Sequence, residues 1–267
     1  MAEEWQVTGD AAEVYERLFV PAIFGRWASQ VTAAAHIGPA DHVLDVGCGT
    51  GALARVAADY VTRGKIVGVD RNPGMLAVAR RVMPGIDWRE GDAKELPFDN
   101  ASFDVVMSQF ALMYFAERRA ALSEMMRVLK PGGRLAVAVW GPFEHATSYV
   151  ILTDIAQRRC GDMAADVLKA PFVLGNQDEL LALFKSAGID DATVTLHSGT
   201  MSFPSIAIFV EAEIKGSPLA EELGAVPSDA RYQALLAEAE EKLQQFQTAD
   251  GNIVMPLDAY IVTAQKA

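Results

Sequence analysis

The nine residues Val43 to Gly51, VLDVGCGTG, constrain this chain more than any other stretch. Val43, Leu44 and Val46 read as a short apolar strand with Asp45 inside it. Glycines follow at Gly47, Gly49 and Gly51, and the helix-like run ALARVAADYV begins at once. A strand that stops in glycines and restarts as a helix leaves backbone N–H groups at the helix N-terminus, where no Cβ keeps a ligand away. The stretch outlines a nucleotide or nucleoside site. Gly47, Gly49 and Ala52 also satisfy a loose G-x-G-x-x-A pattern, so a dinucleotide-binding loop stays open at this point.

Asp45, two residues before the first glycine, tilts the reading, as do three further blocks in fixed order: GVD at Gly68 to Asp70, GDAKELPF at Gly91 to Phe98, and LKPGG at Leu129 to Gly133. With these blocks the chain resembles the class I S-adenosylmethionine-dependent methyltransferases, in the small-molecule branch of the ubiquinone and menaquinone biosynthesis type. The resemblance is strong from about Asp41 to Trp140 and weak beyond. It implies a doubly wound seven-stranded α/β sheet of order 3-2-1-4-5-7-6 with strand 7 antiparallel. The alternation of strand and helix periods up to residue 140 supports the α/β class independently.

The resemblance also implies a cofactor site for S-adenosylmethionine, with S-adenosylhomocysteine as product. It would be built from Asp45, Gly47, Cys48, Gly49 and Gly51, then Asp70, Arg71 and Met75, then Asp92 and Ala93, then Gln109 and Phe110, with Tyr15 from the N-terminal helices. Asp70 ends the second strand, Lys65 to Val69, where a carboxylate can accept from two vicinal ribose hydroxyls. Capping the next helix is the alternative for Asp70, but Asn72 ahead of Pro73 fills that role better. Adenine offers an amino donor and a ring acceptor, which the Asp92 carboxylate and the Ala93 N–H would match. A plain turn role for Asp92 competes.

Around this core, residues 1–40 read as two helices divided at Pro21, a lid that brings Tyr15, Phe19 or Trp27 toward the ligand unless they merely pack on the sheet. Residues 41–140 form the cofactor-binding core of one domain spanning 1–267. The fourth strand, Val105 to Ser108, ends without the [DN]-P-P-[YF] tetrad of amino-directed nucleic-acid methyltransferases and without an acid for magnesium. No metal site is therefore expected. A helix from about Ala116 to Leu129 closes at the turn Lys130 to Gly133, and a fifth strand, Arg134 to Trp140, delivers His145 to the ligand edge. His145 is the candidate general base, with a surface loop role as its competitor. Strand six, Ala192 to Ser198, and strand seven, Ala259 to Ala264, bracket a helical cap insertion at residues 203–249. Within it Phe203, Ile206, Phe209 and Val210 are the expected acceptor lining. Leu235, Leu236, Ala239, Leu243 and Phe246 form a stripe that must bury against the sheet, a lid or a second subunit, which leaves a homodimer open.

Charge narrows the acceptor. Lys and Arg number 23 against 35 acids, a net charge of −12, with no basic cluster of the sort that holds phosphate backbones, so nucleic acid is excluded as partner. Two cysteines, Cys48 and Cys160, without CxxC spacing argue against a disulfide framework or a zinc site. With no bilayer-length apolar run and no leader-like N-terminus, the expected setting is cytoplasmic, away from membranes. The expected reaction is methyl transfer to an O, N or C nucleophile of a small, partly hydrophobic, uncharged or cationic molecule. Two alternatives stand beside it. A nicotinamide-dependent oxidoreductase would leave Asp45 and Asp92 without a task; a non-catalytic S-adenosylmethionine-binding regulator would have kept the pocket alone.

Overall fold

The computed structural model describes residues 9–215 and 230–267. Residues 1–8 of the expected lid and 216–229 of the expected cap lie outside the described residues.

Strands and helices alternate through the first half of the chain: β1 His42–Val46, α3 Ala52–Ala58, β2 Lys65–Asp70, α4 Pro73–Val82, β3 Asp87–Glu90, β4 Phe103–Gln109, α5 Arg118–Val128 and β5 Leu129–Trp140. Two helices precede them, α1 Gly9–Val14 and α2 Gly25–Ala34. After β5 come α6 Thr147–Cys160, α7 Asp162–Lys169, α8 Gln177–Ser186, β6 Thr193–His197, β7 Thr200–Phe203 and α9 Ile206–Lys215. A helix at Ala230–Leu243, here α10, leads to β8 Ile253–Pro256 and β9 Ala259–Gln265.

Seven strands form one sheet in the order β3-β2-β1-β4-β5-β9-β6. β9 is the expected seventh strand, and it runs antiparallel to both β5 and β6. The expected topology is therefore realised. Val43, Leu44, Val46, Val105, Val106 and Met107 are buried because helices cover both faces of the parallel part, which is why those strands read as unbroken apolar runs.

Several local expectations are corrected. Pro21 does not divide two helices. Between α1 and α2 the chain continues as a π-helical segment, Tyr15–Phe24, whose wider turns accommodate a ring that lacks an N–H and would collide with an α-helical carbonyl. LKPGG is not a turn separating helix from strand, because β5 begins at Leu129 and carries Pro131, Gly132 and Gly133 within it. The register with β4 shifts there, and Gly132 takes a positive φ of 74°. The insertion also has its two ends joined by a two-stranded antiparallel sheet, β7 with β8, which the sequence pattern did not reveal. Its stripe at Leu235, Ala239 and Leu243 is buried inside the chain against the hydrophobic core, so it is not available to a second subunit.

Candidate active site

One cavity of about 460 Å³ opens at the C-terminal ends of the parallel strands, a volume typical of small-molecule sites (~300–1,000 Å³). Its first wall is the loop after β1. Gly47 and Gly49 border the cavity with φ of 70° and 53°. A Cβ on Gly47 would stand 2.4 Å from Cβ of Ala111, whereas one on Gly49 would meet nothing closer than Tyr15 Cε1 at 4.0 Å. Glycine at 47 is thus demanded by packing as well as by φ. At 49 the backbone lies open to a ligand.

Asp70 organises this wall. Its Oδ2 accepts from the Gly49 N–H at 2.8 Å and its Oδ1 from the Asn72 N–H at 2.8 Å. Burial pushes its carboxyl above the usual range despite those bonds and the nearby Arg71 guanidinium. Asn72 caps α4 as expected, accepting from Gly74 and Met75 N–H. Arg71 and Met75 line the cavity beside it, and Asp92 and Ala93 line it from the end of β3. Asp92 also accepts from the Lys94 N–H at 3.1 Å, so it shapes its own turn while facing the cavity.

β4 contributes Gln109 and Phe110. Gln109 Nε2 donates to the Phe24 carbonyl at 3.1 Å, fastening the N-terminal helices to the sheet, while its Oε1 is buried without a partner among the described residues. An orphaned acceptor at a cavity wall is an invitation to a ligand donor. Phe110 holds φ at 53°, uncommon for a residue with a side chain, and stacks on Trp140 at 3.6 Å between ring centroids. Over this edge lies the π-helical segment. Tyr15 and Phe19 border the cavity, with Tyr15 stacked on Phe24 at 4.8 Å. Arg55 of α3 donates to Glu16 at 2.9 Å and so ties this segment to the helix that follows the glycine loop.

Four of the expected site residues stand outside the cavity lining. Asp45 lies beneath the glycine loop, 1% exposed, with Oδ2 accepting from the Ala54 N–H of α3 at 3.1 Å. Burial raises its carboxyl to about 7, and the neighbouring Asp70 adds to the shift. Cys48 points to the back of the loop among Ala54, Leu76 and Trp88. Gly51 begins α3 at a φ of 88°, where a Cβ would strike Trp88 at 2.3 Å. These three support the loop from behind. His145 is turned away because Gly141 N–H donates to the Asp258 carbonyl and the Asp258 carboxylate takes His145 Nδ1 at 3.0 Å, pinning that loop to the start of β9. The general-base assignment to His145 is therefore withdrawn.

Other aromatic expectations divide the same way. Trp27 is 1% exposed, packed edge-on to Phe110 and Trp140, and belongs to the core. Phe203, Ile206, Phe209 and Val210 are buried and do not line the cavity. Phe203 and Phe209 pack on each other and on Phe19 and Tyr149. One turn beyond Phe209 on the same face, α9 instead presents Glu213. Tyr149 of α6 donates to Glu213 Oε1 at 2.6 Å, and burial raises the Glu213 carboxyl to about 7. Tyr114 borders the same end of the cavity. Sequence reasoning missed all three. The only available signal was a glutamate on the apolar side of an otherwise hydrophobic helix, IAIFVEAEIK.

A nucleoside-sized cavity with glycines at the end of β1, acids at the ends of β2 and β3, and an antiparallel strand inserted at the far side of the sheet defines a class: the doubly wound, S-adenosylmethionine-dependent methyltransferases. Comparison with known proteins agrees. The family described as Methyltransferase domain matches residues 44–137. A demethylmenaquinone methyltransferase of Renibacterium salmoninarum is 35% identical over 204 residues, 72% of this chain and 84% of that protein. The ubiquinone/menaquinone biosynthesis C-methyltransferase UbiE of Stenotrophomonas maltophilia is 33% identical over 202 residues, 65% of this chain and 78% of that protein. Among solved structures, the YcgJ protein of Bacillus subtilis superposes with a TM-score of 0.58 at 20% identity, covering 90% of this chain and 98% of that one. A Haemonchus contortus phosphoethanolamine N-methyltransferase in complex with S-adenosyl-L-methionine gives 0.60 at 21% identity, covering 97% and 58%. These two establish the shared fold.

The chain belongs to the S-adenosylmethionine-dependent methyltransferases of the ubiquinone/menaquinone type. It is an enzyme that methylates a small molecule, with S-adenosylmethionine as donor. Neither the oxidoreductase nor the regulator alternative finds support among these relatives. No helix among the described residues is long and apolar enough to cross a membrane.

Proposed function

We propose that the acceptor is a partly hydrophobic aromatic ring bearing hydroxyl groups, of the quinol kind, methylated on a ring carbon or an oxygen. The observation that carries this reading is the composition of the far end of the cavity. Apart from the glycine loop and the acids, the walls carry the rings of Phe24, Phe110, Tyr114, Phe115, Trp140 and Tyr149, a mainly aromatic enclosure. The names of the 35% and 33% identical relatives point to the same chemistry.

At the polar end, Asp70 would take the ribose hydroxyls, Asp92 with the Ala93 N–H the adenine edge, and Gln109 Oε1 a donor of the amino-acid part. Gly47 and Gly49 let the backbone approach. The bound donor supplies a sulfonium methyl that already carries its leaving group, so the protein's tasks are alignment, exclusion of water and handling one proton. The lid of Tyr15 and Phe19 and the aromatic wall serve the first two. A cytoplasmic setting and an acceptor other than nucleic acid accompany the proposal, the latter because a net charge of −12 repels phosphate backbones.

A cationic amine is the second reading, favoured by the Glu213 carboxylate among aromatic rings. The test offers methyl-labelled S-adenosylmethionine with either 2-prenyl-1,4-naphthalenediol, kept reduced under nitrogen, or a hydrophobic primary amine such as phenethylamine. Label in the naphthalenediol alone is the expected result. Label in the amine alone would replace the quinol reading.

A further inference from the structure

We propose that Glu213, held by the Tyr149 hydroxyl, is the base that receives the acceptor's hydroxyl proton, which makes α9 of the insertion a part of the catalytic centre. The inference rests on the reading of a hydroxylated acceptor given above.

Geometry carries it first. Glu213 borders the cavity at its aromatic end, on a helix whose other cavity-side neighbours are core residues. Among the described residues a single hydrogen bond reaches its carboxyl, from Tyr149 to Oε1 at 2.6 Å, and none reaches Oε2. No described lysine, arginine or histidine pairs with it. The surfaces packed around it are apolar: Leu152 and Ala156 from α6, Ala164 and Leu168 from α7, and Leu235 from α10. The titratable groups facing it are Tyr149 and, from the turn after β4, Tyr114. Tyr15 and Asp70 occupy other walls of the cavity.

A buried carboxyl that no described residue neutralises with a positive charge, and that one described donor reaches, is costly, and such cost is commonly tolerated where the group handles protons. Burial raises this one to about 7, where a base accepts a proton readily and releases it again near neutrality. The step is a simple transfer. The acceptor O–H bond breaks, its proton adds to Oε2 of Glu213, and the electron pair remains on the acceptor, whose ring carbon or oxygen becomes the nucleophile. That nucleophile takes the methyl group as the donor's S–C bond breaks. On the oxygen path Glu213 then gives its proton to solvent; on the carbon path the ring C–H proton is lost to solvent while the acceptor oxygen regains its own, so one proton is released in either case. Tyr149 is a positioning residue in this scheme. Its hydrogen bond fixes the carboxyl rotamer and favours the ionised form.

The experiment uses the full chain and three variants, Glu213→Gln, Glu213→Leu and Tyr149→Phe, each first checked for unchanged S-adenosylhomocysteine affinity by calorimetry. With 2-prenyl-1,4-naphthalenediol, wild-type kcat should rise with pH to a plateau above about 7. Glu213→Gln should lower kcat by ~10²–10⁴ and abolish that limb. Tyr149→Phe should move its midpoint upward, because the lost bond had favoured the carboxylate. A second readout needs no turnover: the wild-type complex with S-adenosylhomocysteine should bind 1-naphthol at least ~10-fold more tightly than 1-methoxynaphthalene, and Glu213→Leu should erase the preference. Wild-type turnover with an unchanged pH profile in Glu213→Gln overturns the proposal while leaving the quinol reading intact. Absence of wild-type turnover overturns the quinol reading. The naphthol comparison then decides the role of Glu213 alone, and equal binding of the two naphthalenes rejects it.

Discussion

Replacing Asp70 with alanine removes the acceptor for two backbone N–H groups at once, those of Gly49 and Asn72, both at 2.8 Å. Each orphaned donor costs ~1–3 kcal/mol when buried. Both lie beside a cavity that water can enter, which argues for the low end, ~1 kcal/mol each. Their sum, ~2 kcal/mol, is partly offset because the variant no longer buries a carboxyl that burial had raised. A chain of this size loses ~2–4 °C of Tm per kcal/mol, so a net loss of ~1–1.5 kcal/mol should lower the melting of the ligand-free variant by ~2–6 °C. Asp70→Asn keeps one carbonyl-type oxygen and should lose about half as much. The ribose contact adds a separate effect on binding, a ~10–100-fold weaker S-adenosylhomocysteine affinity for Asp70→Ala by titration calorimetry. The two readouts refute different steps. An unchanged ligand-free Tm would show that Asp70 does not hold the loop, and an unchanged affinity in a folded variant would remove its ribose role.

Gly47→Ala should destabilise the chain by ~2–4 kcal/mol in urea unfolding, from ~1–2 for a positive φ of 70° and the rest from the 2.4 Å collision with Ala111. A loss below ~0.5 kcal/mol would mean the loop relocates freely. Stability should also fall with rising pH between about 4 and 7 and level off above. Asp45 and Glu213, both raised to about 7, keep protons in the native chain that the unfolded chain releases near 4, so the native state binds more protons throughout that window. Urea midpoints at pH 5, 6, 7 and 8 measure this, and Asp45→Asn should flatten the slope by up to ~1.4 kcal/mol per pH unit. Turnover should survive EDTA treatment, because β4 runs out in Ser108, Gln109 and Phe110 with no acid to hold magnesium there. Activity restored only by added magnesium would reverse that expectation.

Much of the cofactor end was legible in the chain itself because its chemistry is local. Gly47 and Gly49 follow their strand directly, Asp70 and Asp92 end or follow theirs, and Asn72 caps the helix that begins one residue later. A residue's place at a strand's C-terminal end follows from the hydrophobic pattern within a few positions, and in a parallel sheet those ends converge on one edge. Even there the sequence did not tell a loop residue that faces the cavity from one that supports it. Asp45 lies in β1 just before the loop, and Cys48 and Gly51 share the loop with Gly47 and Gly49, yet none of the three lines the cavity.

The aromatic end of the cavity was decided by tertiary structure alone. His145 follows β5 where a base would be expected, yet Asp258, 113 residues away, takes its Nδ1. Phe203 and Phe209 had the composition of a ligand wall and became core instead, because apolar side chains gain most where water is fully excluded. Glu213 shares a helix face with Ile206, Phe209 and Val210, but nothing local says what that face meets. Its burial opposite Tyr149, 64 residues away, follows only from the way α9 lies against α6, α7 and α10. Period and local chemistry fix which residues share a helix face, but the environment that face meets, and hence whether a carboxyl is solvated or desolvated to about 7, is set by contacts between elements far apart in the chain.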